Sequence, residues 1–234
     1  MAMPPTDAVL LENFFPFPDR LETRSGYVNH IEATASTAYR LFNYSSGSGT
    51  ETLFAATDTG VYDVTTAGAS LPAYTVPLTN GKVSTAVLST GANHYLMIVN
   101  GTDTLRKFDG STWSTVATLG ATSTAIFSYV EVYRQRLFFA EKNSLNLWYL
   151  PINSISGTPV SYALGAIFRR GGYIVALATW TLDSGYGPED QLAVCTSTGE
   201  IAVLSGADPS SASSWSLRGV YYIGKPLGSN PLYK

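Results

Sequence analysis

The sequence predicts an all-β fold: a propeller-like body of about four small antiparallel sheets, forming an incomplete or open ring, with an extended N-terminal arm in front of it. Three observations predict it. The window 136–165, RLFFAEKNSLNLWYLPINSISGTPVSYALG, reads as strand, tight turn, strand, longer loop, strand. A helix is the competing reading, and the Phe, Tyr, Trp and Val content with two polar breaks decides for strands. The second observation is that this outline recurs. Leu53-Phe54-Ala55-Ala56 precedes Thr57-Asp58-Thr59-Gly60, Leu96-Met97-Ile98-Val99 precedes Asn100-Gly101-Thr102-Asp103, and Leu192-Ala193-Val194-Cys195 precedes Thr196-Ser197-Thr198-Gly199, each polar turn being followed by another apolar run. From Leu53 to Leu96, Leu137 and Leu192 the steps are 43, 41 and 55 residues, the spacing of propeller blades. A small sheet cannot cover its own faces, so it stacks on copies of itself. An irregular β-sandwich is the alternative. The third observation is composition: 45% hydrophobic and 13% charged residues in 234 mark a chain able to bury a core.

In chain order, residues 1–32 form the arm and first strands, 33–228 the body and 229–234 a tail. Pro4, Pro5, Pro16 and Pro18 keep the arm out of helices and central strands. Its Leu10, Leu11, Phe14, Phe15 and Phe17 are too apolar for a free tail, so they dock on the body or on a partner. Residues 33–44 open the first blade, and 45–50 form a flexible Gly/Ser loop. Blade units follow at 52–76, 95–119, 136–164 and 191–217, with outer or linking strands at 83–88 and 126–133. The apolar run 173–182 leads into the acidic, turn-rich loop 183–190. Four blades barely close a ring, so closure is either incomplete or supplied by something else.

The net charge of −3 argues against a dedicated nucleic-acid binder. A single cysteine, Cys195, excludes an intramolecular disulfide, suits a reducing compartment and reads as a packed small side chain. No apolar run approaches the roughly 20 residues a membrane helix needs, so no membrane insertion is expected. The N-terminus lacks a basic start and an apolar signal core, so the chain reads as non-exported. His30 and His94 have no carboxylate at metal-ligand spacing, and no metal or other cofactor is expected. There is no phosphate loop, no GxSxG element and no Cys/His pair.

Propellers do host two-carboxylate glycosidases, for which Asp183, Glu189 and Asp190 are the candidates. Asp58, Asp63, Asp103 and Asp109 read as hairpin residues holding their own backbone. Arg134, Arg136, Arg169 and Arg170 are candidate channel or subunit-interface cations, although a turn near Gln135 bears on whether the first two share a face. Tyr221, Tyr222, Trp113 and Trp215 are aromatic residues that either stack on sugars or close blade strands.

Several stretches carry a family resemblance: residues 7–27 (DAVLLENFFPFPDRLETRSGY), 53–65 (LFAATDTGVYDVT), 99–114 (VNGTDTLRKFDGSTWS), 133–151 (YRQRLFFAEKNSLNLWYLP), 169–190 (RRGGYIVALATWTLDSGYGPED) and 206–228 (GADPSSASSWSLRGVYYIGKPLG). In this order the chain resembles the tail nozzle (tail hub) and packaged-DNA stabilisation proteins of short-tailed bacteriophages. The resemblance implies a non-enzymatic virion tail component, made in the host cytoplasm. It implies a homo-oligomeric ring, typically a hexamer, below the portal and adaptor, retaining double-stranded DNA without sequence specificity and passing it at ejection. A carbohydrate- or receptor-binding propeller is the alternative function, and a glycoside hydrolase using Glu189 and Asp190 a third.

Overall fold

The structure is a computed structural model that describes residues 12–31, 37–49, 51–68, 75–91, 93–183, 188–228 and 231–232. It is all-β, and its body is a β-propeller of four four-stranded antiparallel meanders. A short hairpin, β1 (Phe14–Pro16) and β2 (Leu21–Thr23), stands before them. Blade one is β3 (Ala38–Ser45), β4 (Glu51–Thr57), β5 (Gly60–Asp63) and β6 (Val76–Pro77). Blade two is β7 (Ser84–Thr90), β8 (Asn93–Val99), β9 (Leu105–Phe108) and β10 (Trp113–Val116). A miniature hairpin, β11 (Thr118–Leu119) and β12 (Thr122–Ser123), and a 3-10 turn at Thr124–Ile126 lead to blade three. That blade is β13 (Phe127–Tyr133), β14 (Arg136–Glu141), β15 (Asn146–Tyr149) and β16 (Val160–Ala163). Blade four is β17 (Ile174–Asp183), β18 (Pro188–Thr196), β19 (Glu200–Gly206) and β20 (Trp215–Tyr222).

Turn chemistry sets each meander. In blade one the Thr57 hydroxyl accepts from the Thr59 and Gly60 N–H groups at 3.1 and 3.3 Å. In blade four Thr196 accepts from the Glu200 N–H at 3.1 Å and bonds the Thr198 hydroxyl at 3.0 Å. Both are Thr-x-Thr-Gly turns in which a hydroxyl replaces a backbone acceptor. The β13–β14 turn holds Arg134 and Gln135 at φ 46° and 61°, the paired left-handed geometry that fits the twist of a two-residue hairpin.

The strands expected as outer or linking at 83–88 and 126–133 are instead the first, innermost strands of blades two and three. β7 packs on β13, and β13 on β17. At their contact Ser84 Oγ donates to the Val130 carbonyl at 3.2 Å and accepts from the Val130 N–H at 3.1 Å. The run 173–182 is likewise the inner strand of blade four. A fourfold pattern of short strands does not say which strand sits at the centre; contact with neighbouring blades does.

Three apolar cores lie between the blades. Phe42, Phe54 and Val61 of blade one meet Leu96, Ile98 and Phe108 of blade two. Leu88, Met97 and Val99 on the other face of blade two meet Val130, Leu137 and Phe139 of blade three. Tyr133, Phe138 and Tyr149 meet Leu192, Leu204 and Trp215 of blade four. Each buried Phe or Leu contributes about 1.5–3 kcal/mol, so the junctions between sheets carry the stability.

Candidate functional site

The five apolar arm residues divide. Leu10 and Leu11 lie outside the described residues. Phe14, Phe15 and Phe17 sit on the β1–β2 hairpin and are exposed, and every residue from 12 to 30 is exposed with them. Within the described part of the arm, the first strands form a short hairpin in which Phe14 pairs with Thr23 and Pro16 with Leu21. The Arg20 guanidinium lies 4.6 Å from the Phe17 ring centroid and bonds Glu22 at 2.6 Å. Such an exposed ion pair contributes little stability. The arm meets the body near His30, whose Nε2 lies 2.7 Å from the Val64 carbonyl, and at Ile31, which bridges to Gly68.

The four arginines separate into two pairs at opposite ends of blade three. Arg134 and Arg136 flank the β13–β14 turn, and Arg169 and Arg170 precede β17. Arg136 is a clamp. Its Nε donates to the Ala207 carbonyl at 3.2 Å, its Nη1 to the Leu150 carbonyl at 3.2 Å, and its Nη2 lies 3.6 Å from Asp208. Tyr133 reinforces it, donating to the Asp190 carbonyl at 2.8 Å and accepting from the Gly206 N–H at 3.3 Å. Both tie blade three to blade four. The backbone N–H groups of Arg169 and Arg170 donate to the buried Glu200 carboxylate at 3.2 and 2.7 Å. The Arg170 side chain covers the Tyr222 ring at 3.8 Å.

The acidic residues hold turns. The Glu189 carboxyl is held below its ordinary range by the Ser205 hydroxyl and then by Arg218. Asp109 is lowered by the Thr112 and Ser111 N–H groups, Asp58 by the Gly81 N–H and the Tyr39 hydroxyl, and Asp208 by Ser210. At Asp103 burial works against the charge, but hydrogen bonds from Thr79 and Asn100 outweigh it and lower the pKa. A glycosidase acid requires the opposite direction. Asp190 accepts from the Thr181 hydroxyl at 2.7 Å. His94 bonds Ser89, and no group of three or more metal-ligating side chains occurs among the described residues. Cys195 is buried in the blade-four sheet, which raises its thiol pKa.

Two of the four aromatic residues singled out for sugar stacking are packed inside. Trp215 stacks on Phe138 with centroids 6.0 Å apart, and Trp113 wedges against Phe54 and Phe108 at 5.3 and 5.0 Å. Tyr221 and Tyr222 are exposed, and so is Trp180, which the sequence reading passed over. Trp180 and Tyr221 belong to the outward face of blade four. There they line a groove of about 690 Å³ with Glu189, Gln191, Ile201, Val203, Arg218 and Ile223. The outward face of blade one carries a second apolar groove of about 330 Å³, lined by Ile31, Leu41, Leu53, Ala55 and Val64 among others. The signal that could have found these faces is period-2 alternation with apolar residues on both sides of the terminal blades, as in Ala178, Trp180, Ile201 and Val203.

No family model and no curated protein matches the sequence. The fold is similar to that of BBS1N, solved as a crystal structure in complex with ARL6DN, with a TM-score of 0.51 and 12% identity. That neighbour is a β-propeller. The similarity covers 83% of this chain but 58% of the neighbour's length, and at that identity it shows the fold alone.

Proposed function

We propose that the chain is a structural, non-enzymatic component of the tail of a short-tailed bacteriophage. In this reading it is a nozzle or hub ring below the portal and adaptor that retains packaged DNA and forms part of its exit path. The observation that carries the reading beyond the sequence resemblance is the outward-turned aromatic hairpin. Phe14, Phe15 and Phe17 remain in solvent although burying each is worth about 1.5–3 kcal/mol, which suits anchors for a neighbouring subunit or the adaptor. The net charge of −3 supports a duct: each phosphate–cation contact would add affinity that slows passage. The inner strands pack in sequence, β7 on β13 and β13 on β17, so in this reading the duplex passes beside the blade stacks, between copies arranged as a hexameric ring.

The carbohydrate-binding reading loses Trp113 and Trp215, which pack between blades, and retains the exposed Tyr221 and Tyr222. The test is antibody labelling of purified short-tailed phage particles under the electron microscope. Label on the tail axis is expected, and absence of the protein from particles would sink the reading. Deleting residues 1–18 is expected to leave the circular dichroism of the blades unchanged while abolishing incorporation. Loss of the β signal instead would make the arm part of the core.

A further inference from the structure

One polar side chain of blade four is buried against a groove and bonded to nothing. Gln191 is 8% exposed and lines the groove of about 690 Å³ beside Trp180 and Tyr221. Its carboxamide has no hydrogen-bond partner among the described residues. Buried amides are almost always bonded, because an unmet donor or acceptor keeps its full desolvation penalty. The rest of the lining says what kind of ligand would meet it. Trp180 stands in register beside Gln191 on β17, and Tyr221 lies across the sheet on β20. Three strand spacings of about 4.8 Å, roughly 14 Å, separate those two strands, which is longer than a single sugar ring. Past Trp180 the groove continues into an adjoining hollow of about 410 Å³. On its polar side Arg218 donates to Glu189 Oε1 at 3.1 Å and to the Ser205 hydroxyl at 3.3 Å. The second Glu189 oxygen and the other Arg218 N–H groups have no partner among the described residues.

We propose that this groove binds a neutral oligosaccharide. A pyranose lays its C–H face on the Trp180 ring, a neighbouring unit reaches Tyr221, and the hydroxyls bond the Gln191 carboxamide and the free atoms of Glu189 and Arg218. A hydroxyl both donates and accepts, so it satisfies an amide, a carboxylate or a guanidinium equally well. The competing occupants fit worse. An apolar sheet laid here would seal the Gln191 carboxamide with no partner. An extended peptide finds no free strand edge on this face, because β18 is paired on both sides, with β17 and β19. An acidic sugar gains nothing from Arg218, whose charge Glu189 already matches at 3.1 Å. The inference goes beyond the tail reading and does not depend on it: sugar binding is measured on the free protein and incorporation on particles.

Calorimetric titration of the full 234-residue chain with linear trisaccharides of glucose, galactose, mannose and N-acetylglucosamine tests it. Saturable binding to at least one of them is expected, with a change in tryptophan fluorescence. Trp180→Ala and Gln191→Leu, each still β-structured by circular dichroism, are expected to weaken that binding about tenfold or more. Trp180→Phe is expected to keep the binding and lose the fluorescence response, since the ring remains and the indole does not. Where Gln191→Leu fails to fold, Gln191→Met takes its place. Three results would overturn the proposal: no binding by the folded chain to any of the four sugars, binding that survives both Trp180→Ala and Gln191→Leu, or self-association that shields Trp180 from acrylamide quenching as protein concentration rises. The last would assign the face to a protein partner.

Discussion

Trp215 and Trp180 stand in the same four-stranded sheet, and their surroundings are as different as core and solvent. Trp215 is 6% exposed, stacked on Phe138 and edge-on to Tyr133 and Tyr162. Trp180, on the opposite face, is 54% exposed beside Tyr221. Both faces alternate apolar residues along their strands, and both belong to the same hydrogen-bonded ladder. The difference is that blade three covers one of them. A propeller blade becomes core or surface through its neighbour, which is why stability is concentrated at the junctions.

The largest test of that contrast is a pair of truncations. Trp215→Ala is expected to cost about 3–5 kcal/mol in guanidinium unfolding, whereas Trp180→Ala changes the stability of the isolated chain by less than about 0.5 kcal/mol. Equal losses would break the comparison. A smaller effect sharpens it at the rim of the same junction. Arg136→Met removes the donors that satisfy the Leu150 and Ala207 carbonyls and is expected to cost about 1–3 kcal/mol. Among the described residues the exposed Arg20 side chain contacts Asp19, Glu22 and Phe17, so Arg20→Met is expected to be silent in the same assay.

The smallest effect concerns acid. Asp58, Asp103, Asp109 and Asp208 have folded pKa values below their ordinary 3.8, and Glu189 below its 4.5. Their contribution is therefore complete above the ordinary values and is lost as pH falls through the lowered ones. Unfolding free energy is expected to be flat from neutrality to about pH 5 and to decline below about pH 4. Asp103→Asn is expected to flatten part of that decline, since Asp103 ties Thr79 in the linker before blade two to Asn100. An unchanged acid limb in that variant would show that its hydrogen bonds persist when the carboxyl is protonated.

Much of the fold was legible in local patterns. The Leu53, Leu96, Leu137 and Leu192 anchors all fall on second strands, and the Thr-x-Thr-Gly and Asn100 turns follow where expected. These signals are short-range: an alternating strand and a turn whose side chains bond their own backbone. The strands at 83–88 and 126–133 were placed outside because nothing within a strand records whether its partner across the blade is solvent or another blade. The same blindness left open whether Trp113 and Trp215 stack on sugars or close blade strands, and passed over Trp180. For the arginines, the turn near Gln135 was visible, but the grip of Arg136 on residues 150, 207 and 208 links positions up to 72 apart.

The sequence by itself determined the all-β class, the number of repeats and the residues that turn each meander, because alternation and turn chemistry are written within a few neighbouring positions. Tertiary structure alone decided which strands are innermost, which aromatic rings are buried and which are left exposed. Those properties depend on contacts between blades dozens of residues apart, and a residue's own alternation pattern is the same whether or not the sheet beside it is present.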